Sequence, residues 1–260
     1  MSDNGRHPEV LYQAGGAVAT ITINRPYARN SVNKKTCLAL YQAVRQADEN
    51  PKLSVVVLRG EGKDFCCGAD LKAESQRPDE SDAPRPETDI HRISVLLHEM
   101  RAVTVAAIRG GCAGAGFGWA CACDFRVAAD SSVFNTAFLN VGVAGDMAVP
   151  WTLPRIIGAS RARELSFFPG KFDAQLAYDI GLINRLWPEA EFENSLEGFT
   201  QQLSSHSPEA LAALKANYIA AERQSLEEYV MLEADAHIRL LGTQASKDAF
   251  AAHRKKKPNS

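Results

Sequence analysis

Two short, β-branched apolar runs, each released into a glycine-rich bend, constrain this chain more than any other feature of its sequence. Ser54-Val55-Val56-Val57-Leu58-Arg59 is almost continuously apolar and stops at Gly60, and Val103–Ile108 repeats the pattern ahead of Gly110. A strand without polar alternation has both faces covered, so each run is expected inside a largely parallel sheet. The bends are Gly62-Lys63-Asp64-Phe65-Cys66-Cys67-Gly68-Ala69-Asp70-Leu71 and Gly110-Gly111-Cys112-Ala113-Gly114-Ala115-Gly116-Phe117-Gly118. Each feeds a plausible helix, and the first turn of a helix leaves backbone N–H groups without an internal partner. Two such amides meeting at one point would bind a carbonyl oxygen that becomes negative during reaction. The other use of either bend is close packing of strand against helix. Gly114-x-Gly116-x-Gly118 lacks the spacing and the downstream acid of a dinucleotide-binding turn.

Around these runs the chain falls into a strand, strand, helix rhythm. Val18–Ile23 alternates as a half-buried strand does and is stopped by Asn24-Arg25-Pro26. Lys34–Asp48 carries apolar positions at helical spacing. Residues 90–100 are expected to be helical, and residues 125–128 and Val133–Asn135 to be short strands. Residues 77–87, rich in Pro, Asp, Ser and Arg, are expected to form an exposed flexible loop. The rhythm suggests stacked turns of a spiral, although no repeat of fixed period is visible. The last third differs, with helices expected at 160–167, 173–180, 207–220 and Leu226–Leu241. Ser207-Pro208-Glu209 places a cap residue and then proline at a helix start.

The bulk numbers exclude several classes of partner. The chain has 260 residues, 45% of them hydrophobic, and a formal net charge of -2. That balance gives no electrostatic reason to expect nucleic acid or an anionic membrane. Residues 1–9 are polar with no apolar core of a secretory signal, and no apolar run reaches the length of a bilayer span. Arg254-Lys255-Lys256-Lys257 is a local basic cluster whose simplest reading is a solvated, disordered tail. The six cysteines lie mostly in apolar or glycine-rich runs, where free thiols act as small hydrophobes. Cys121-x-Cys123 has no second pair or nearby histidines to complete a zinc site. A reduced, cytoplasmic protein is the expectation.

Asn24-Arg25-Pro26, the block from Phe65 to Lys72 and the block from Gly110 to Asp124 resemble, in order and spacing, the signature blocks of the crotonase (enoyl-CoA hydratase/isomerase) superfamily. Pro154-Arg155-Ile156-Ile157-Gly158, Phe172-Asp173-Ala174 and Gly181-Leu182-Ile183-Asn184 extend the resemblance, which covers residues 10 to 256. It implies an α/β fold, a spiral of ββα turns with a helical C-terminal trimerisation region. The division would be a spiral acyl-CoA-binding core at 1–200 and an oligomerisation region at 201–260. Trimers, or hexamers built as dimers of trimers, are implied as well. So are a coenzyme A thioester as substrate and no permanently bound cofactor. Matched position by position, the amides of Ala69 and Ala115 resemble the family's oxyanion pair. Alanine stands at 115 where glycine is usual, which requires φ below zero there. Ala69, Asp70, Leu71, Lys72 and Ala115 would contact the coenzyme.

The resemblance also bears on the reaction. The two glutamates with which hydratase members hold water and move a proton match Gly118 and Phe138, and neither can do acid–base work. Asp146 falls where the isomerase branch keeps its aspartate, ahead of Trp151-x-Leu153-Pro154-Arg155. One base suffices for double-bond migration, taking a proton at one carbon and returning it at another. With Val143, Met147 and Trp151 as neighbours, its carboxylate is expected to be partly desolvated. The bland reading of Asp146 is an N-cap for the following helix. Asp64 and Glu61 are expected to be solvated turn residues, and Asp124 a structural acid paired with a backbone amide or an arginine. His91 and Asp146 also fall where aryl-CoA dehalogenases place a base and a nucleophile, with Phe138 in place of an aromatic wall. An acyl-CoA isomerase is therefore the leading reading. The alternatives are a hydratase with displaced acids, a dehalogenase-like enzyme and a catalytically silent acyl-CoA-binding protein.

Overall fold

The computed structural model describes residues 7–74 and 88–256. Strands β1 (Val10–Gly15) and β2 (Val18–Ile23) form an antiparallel hairpin, with Gly16 in the left-handed region at its corner. Helix α1 (Lys34–Asp48) is capped by Asn33, whose side chain accepts the Thr36 amide, and buries Leu40, Val44 and Ala47. Strand β3 (Val55–Gly60) leads into the first bend and the short α2 (Leu71–Glu74). A 3-10 turn at Thr88–Arg92 precedes α3 (Ile93–Glu99), so the helix expected at 90–100 is shorter and wound more tightly at its start. Residues 77–87, expected to be a flexible loop, lie outside the described residues.

The second bend follows β4 (Val103–Ile108) and is more regular than expected, being strand β5 (Gly111–Ala113) and helix α4 (Ala115–Ala122). Then come β6 (Phe125–Ala129), β7 (Val133–Asn135), α5 (Val149–Ile157), α6 (Ala159–Phe167), β8 (Phe172–Asp173), α7 (Ala174–Asp179) and β9 (Arg185–Trp187). Helices α8 (Phe192–Ser204), α9 (Pro208–Ala221), α10 (Leu226–Leu241) and α11 (Gln244–Lys256) complete the chain. Helix α11 takes in Arg254, Lys255 and Lys256, so this part of the basic cluster is helical and not a disordered tail.

The strands wind between two sheets. One has the order β1-β2-β3-β4-β6-β9, parallel from β2 onward, and the other the order β5-β7-β8. Bridges from Cys66 to Cys112, Cys112 to Phe134 and Phe134 to Phe172 place successive turns in one line. The Phe134 and Phe172 rings stack with centroids 5.6 Å apart. This is the α/β spiral that the strand rhythm suggests.

The unbroken apolar strands follow from cover on both faces of the large sheet. Val56, Leu58, Ala106, Ile108 and Ala128 face the main core. Val55, Val57, Val105, Ala107, Val127 and Ala129 face the other way, against Phe192 and Leu196 of α8. Burying each large side chain is worth about 1.5–3 kcal/mol. Without α8 that second face would meet water.

Helix α9 is fixed to this body by a buried lysine. Lys215 Nζ donates to Asp124 Oδ2 at 2.7 Å and to the carbonyls of Ala102 at 3.0 Å and Leu97 at 3.3 Å. Asp124 also accepts the Thr104 amide at 2.7 Å, so it is structural and paired with a backbone amide as expected, with Lys215 as a further partner. Among the described residues no helix is long and apolar enough to cross a membrane. Removing one partner of a buried pair leaves the other charge uncompensated. Lys215→Met should therefore lower unfolding stability by about 3–5 kcal/mol, read from urea titration. Limited proteolysis should then cut between α8 and α9 before the spiral is attacked.

Candidate active site

The two glycine bends lie side by side and are stitched together by backbone hydrogen bonds. Cys66 N donates to Gly111 O at 3.0 Å, Ala113 N to Cys66 O at 2.9 Å, and Phe65 N to Arg109 O at 2.8 Å. Glycines stand where the bends meet. A Cβ placed on Gly114 would lie 3.3 Å from the Gly68 Cα, and one on Gly116 would meet Cys66 at 2.5 Å. Gly68 and Gly114 have φ of 91° and 53°, a region open to glycine and costly for other residues. Each is followed directly by one of the alanines singled out above.

Neither the Ala69 amide nor the Ala115 amide donates to an acceptor among the described residues. Ala69 is bracketed by bonds that leave its own N–H out: Val32 N donates to Gly68 O, and Asp70 N to Val32 O, both at 2.8 Å. Ala115 opens α4, so its amide is one of the unpaired donors of a helix N-terminus. Its φ lies outside the left-handed region, as alanine in place of glycine requires. The two donors thus start from touching turns, and that of Ala115 stands at the start of a helix whose dipole favours negative charge.

Asp64 locks this arrangement and is not the solvated turn residue expected from sequence. Its Oδ1 accepts the Gly111 amide at 2.7 Å, and both its oxygens accept from Arg29, at 2.8 and 3.0 Å. The Arg29 guanidinium, helped by the Gly111 amide, holds the carboxyl below its usual range against the opposing effect of burial. No local signal marks this role, because Gly111 lies 47 residues downstream. Asp70 pairs with Arg25 Nη2 at 3.0 Å, so its carboxylate braces the Asn24-Arg25-Pro26 turn. Leu71 and Lys72 are exposed beside it. Burial pushes the Cys66 thiol up to about 12 and the Cys67 thiol to about 11, so neither supplies a thiolate near neutral pH.

Asp146 sits half-buried in a loop that passes over Gly118. A Cβ on Gly118 would lie 2.6 Å from the Met147 Cβ and 3.3 Å from Asp146 O. The space beside Gly118, which the resemblance matches to a hydratase glutamate, is therefore filled by the backbone and side chain of this loop. Asp146 does not cap α5. That helix has Ala148 at its N-cap and no side-chain capping bond, while Asp146 Oδ1 accepts the Met147 amide at 2.7 Å. Of the three apolar neighbours expected to desolvate it, Met147 is buried, while Val143 and Trp151 are exposed. Ser94, three residues after His91, donates from Oγ to Met147 O at 2.9 Å and brings the start of α3 to the loop.

A cavity of about 350 Å³ abuts the same loop, lined by Phe138, Ala144, Gly145, Leu153 and Phe167. Larger cavities of about 1030 and 740 Å³ lie against α9, with walls that include neither Ala69, Ala115 nor Asp146. Because folding holds Asp64 below its ordinary value, its contribution is full above about pH 4 and fades as pH falls through the folded value. Asp64→Asn should lower Tm by about 3 °C at pH 7, and the gap between parent and variant should shrink as pH falls below about 4 in calorimetry across pH.

Known proteins share this architecture and sequence. The family model described as enoyl-CoA hydratase/isomerase matches residues 13–259. Two 4-chlorobenzoyl coenzyme A dehalogenases from Arthrobacter sp are each 30% identical, over 100% of this chain and 95% of theirs. The crystal structure of an enoyl-CoA hydratase from Bacillus anthracis superposes with a TM-score of 0.89 at 26% identity, covering 97% of this chain and 98% of that one. A Thermobifida fusca protein described as an enoyl-CoA hydratase, solved in complex with CoA, gives 0.81 at 26% identity, over 90% and 93% of the two chains. With the family model spanning nearly the whole spiral and both glycine bends, the chain belongs to the enoyl-CoA hydratase/isomerase family, within the crotonase superfamily.

Proposed function

We propose that the chain processes an acyl-CoA thioester by double-bond isomerisation, with the thioester oxygen held by the Ala69 and Ala115 amides. The observation that carries this reading is the pair of uncommitted donors rising from two turns in backbone contact. An enolate formed at the thioester would place its charge on that oxygen, where prealigned N–H groups stabilise it most. Asp146 is the acid/base that removes a proton from one carbon and returns it to another. Ala69, Asp70, Leu71, Lys72 and Ala115 form the coenzyme-contacting set, and the family relative solved with CoA supports that ligand class. A homotrimer or a dimer of trimers is the proposed assembly, supported by exposed Leu226, Met231 and Ile238 on α10.

Isomerisation is preferred to hydration because Gly118 and Phe138 offer no acid, and Met147 leaves no room for one at 118. A second reading has a specific observation behind it, the two Arthrobacter relatives. There Asp146 would attack the halide-bearing ring carbon of an aryl-CoA while His91 serves as base. Ser94, which joins the helix beginning after His91 to the Asp146 loop, favours a shared site for the two groups.

Asp146→Asn should lower kcat on a 3-enoyl-CoA by about 10³-fold or more, followed as conversion to the conjugated 2-enoyl-CoA. Rapid hydration of a 2-enoyl-CoA that survives this substitution would overturn the reading. Halide release from 4-chlorobenzoyl-CoA, abolished by His91→Gln, would select the second one. Proline is well tolerated at the first position of a helix but has no N–H. Ala115→Pro should therefore leave α4 formed, by circular dichroism, and lower kcat by about 10²–10³-fold.

A further inference from the structure

We infer that Ser94 is a positioning residue for Asp146, working with the bare backbone of Gly118; this rests on the reading of Asp146 as the acid/base. Met147 and Ala148, directly after Asp146, have φ of 49° and 65°. Side-chain-bearing residues occupy that region sparsely, and two in succession persist only where the surroundings over-determine them.

Three contacts supply the constraint. Ser94, 2% exposed, donates from Oγ to the Met147 carbonyl at 2.9 Å. Gly118 has no side chain, and the Met147 side chain occupies the space one would need. Val149 N donates to Asp146 O at 3.1 Å, closing the loop on its far side. Met147 then transmits the constraint. Its N–H, in the Asp146–Met147 peptide, donates to Asp146 Oδ1 at 2.7 Å, while Ser94 holds the next peptide through the Met147 carbonyl, and the Met147 backbone with φ of 49° couples the two. Ser94 itself stands on α3 between the fully buried Ile93 and Leu97, a support that does not drift. Loss of the hydroxyl would strand a carbonyl on a buried residue and let Met147 relax toward an ordinary backbone conformation. The carboxylate would turn away from the reacting carbons, while the two amides, borne on other turns, would stay in place.

The experiment compares Ser94→Ala, Ser94→Thr, Ser132→Ala and Asp146→Asn in the full chain, with kcat and KM measured on a 3-enoyl-CoA. Ser132 is a matched control. It is 1% exposed and donates to the Ile108 carbonyl at 3.1 Å, with no contact to the Asp146 loop. Ser94→Ala should lower kcat about ten- to a hundredfold with KM within about twofold, since misplacing a reacting group acts on turnover more than on binding. Ser94→Thr, which keeps the hydroxyl, should recover most of the loss, and Ser132→Ala should match the parent in both constants. If Ser94→Ala does not fold, Ser94→Cys, close in size with a weaker donor, takes its place in the same comparison. Unchanged kcat in the Ser94 variant, or an equal fall in Ser132→Ala, would overturn the inference while Asp146→Asn still reports on the acid/base itself. Full activity in Asp146→Asn would overturn both.

Discussion

The close approach of Gly68 and Gly114 is the constraint on which the rest of the site depends. These two turns, 46 residues apart in sequence, leave little room for a Cβ at either residue, and both adopt φ values that glycine alone takes cheaply. That contact sets the starting points of two N–H groups, and main-chain donors cannot be lost by side-chain substitution other than to proline. The surrounding network holds the turns in register. Asp64 fastens Gly111 to the first turn from one side, and Cys66 bonds to both flanks of the second.

Around this pair the fold acts as a frame. The spiral lines up one residue from each turn, and a sheet covered on both faces fixes the strands from which the bends emerge. The proposed acid comes from a different part of the chain, a loop pressed onto α4 at Gly118, where the helix has no side chain to resist it. Gly118 thus accounts for two facts together: the missing hydratase glutamate and the seating of the Asp146 loop. On the proposed reading, a chain that exchanged one for the other would keep its two amide donors while changing which group moves the proton.

Much of this was legible in the sequence because the signals were local. Val103–Ile108, Val133–Asn135 and Leu226–Leu241 have the limits that their periodicity gives. The bends declared themselves by glycine spacing alone. Helix α8 was passed over, although Phe192, Leu196, Phe199 and Leu203 make a stripe at helical spacing, because the polar residues between them masked it. Asp64 and Lys215 were not legible. Their partners lie 47 and 91 residues away, and nothing near either residue says whether its charge will face water or a buried acceptor. The bland reading of Asp146 as a helix cap rested on its place ahead of α5, but Ala148 is the N-cap, and Met147 and Ala148 between them adopt left-handed backbone.

The central claim concerns one oxygen and two amides, and a crystal structure with an unreactive acyl-CoA analogue tests it most directly. The account predicts the thioester oxygen within about 2.7–3.1 Å of both the Ala69 and the Ala115 nitrogens, with the Asp146 carboxylate facing the acyl carbons next to it. A thioester bound elsewhere, or an oxygen reached by only one of these amides while the other is satisfied by water or protein, would contradict it.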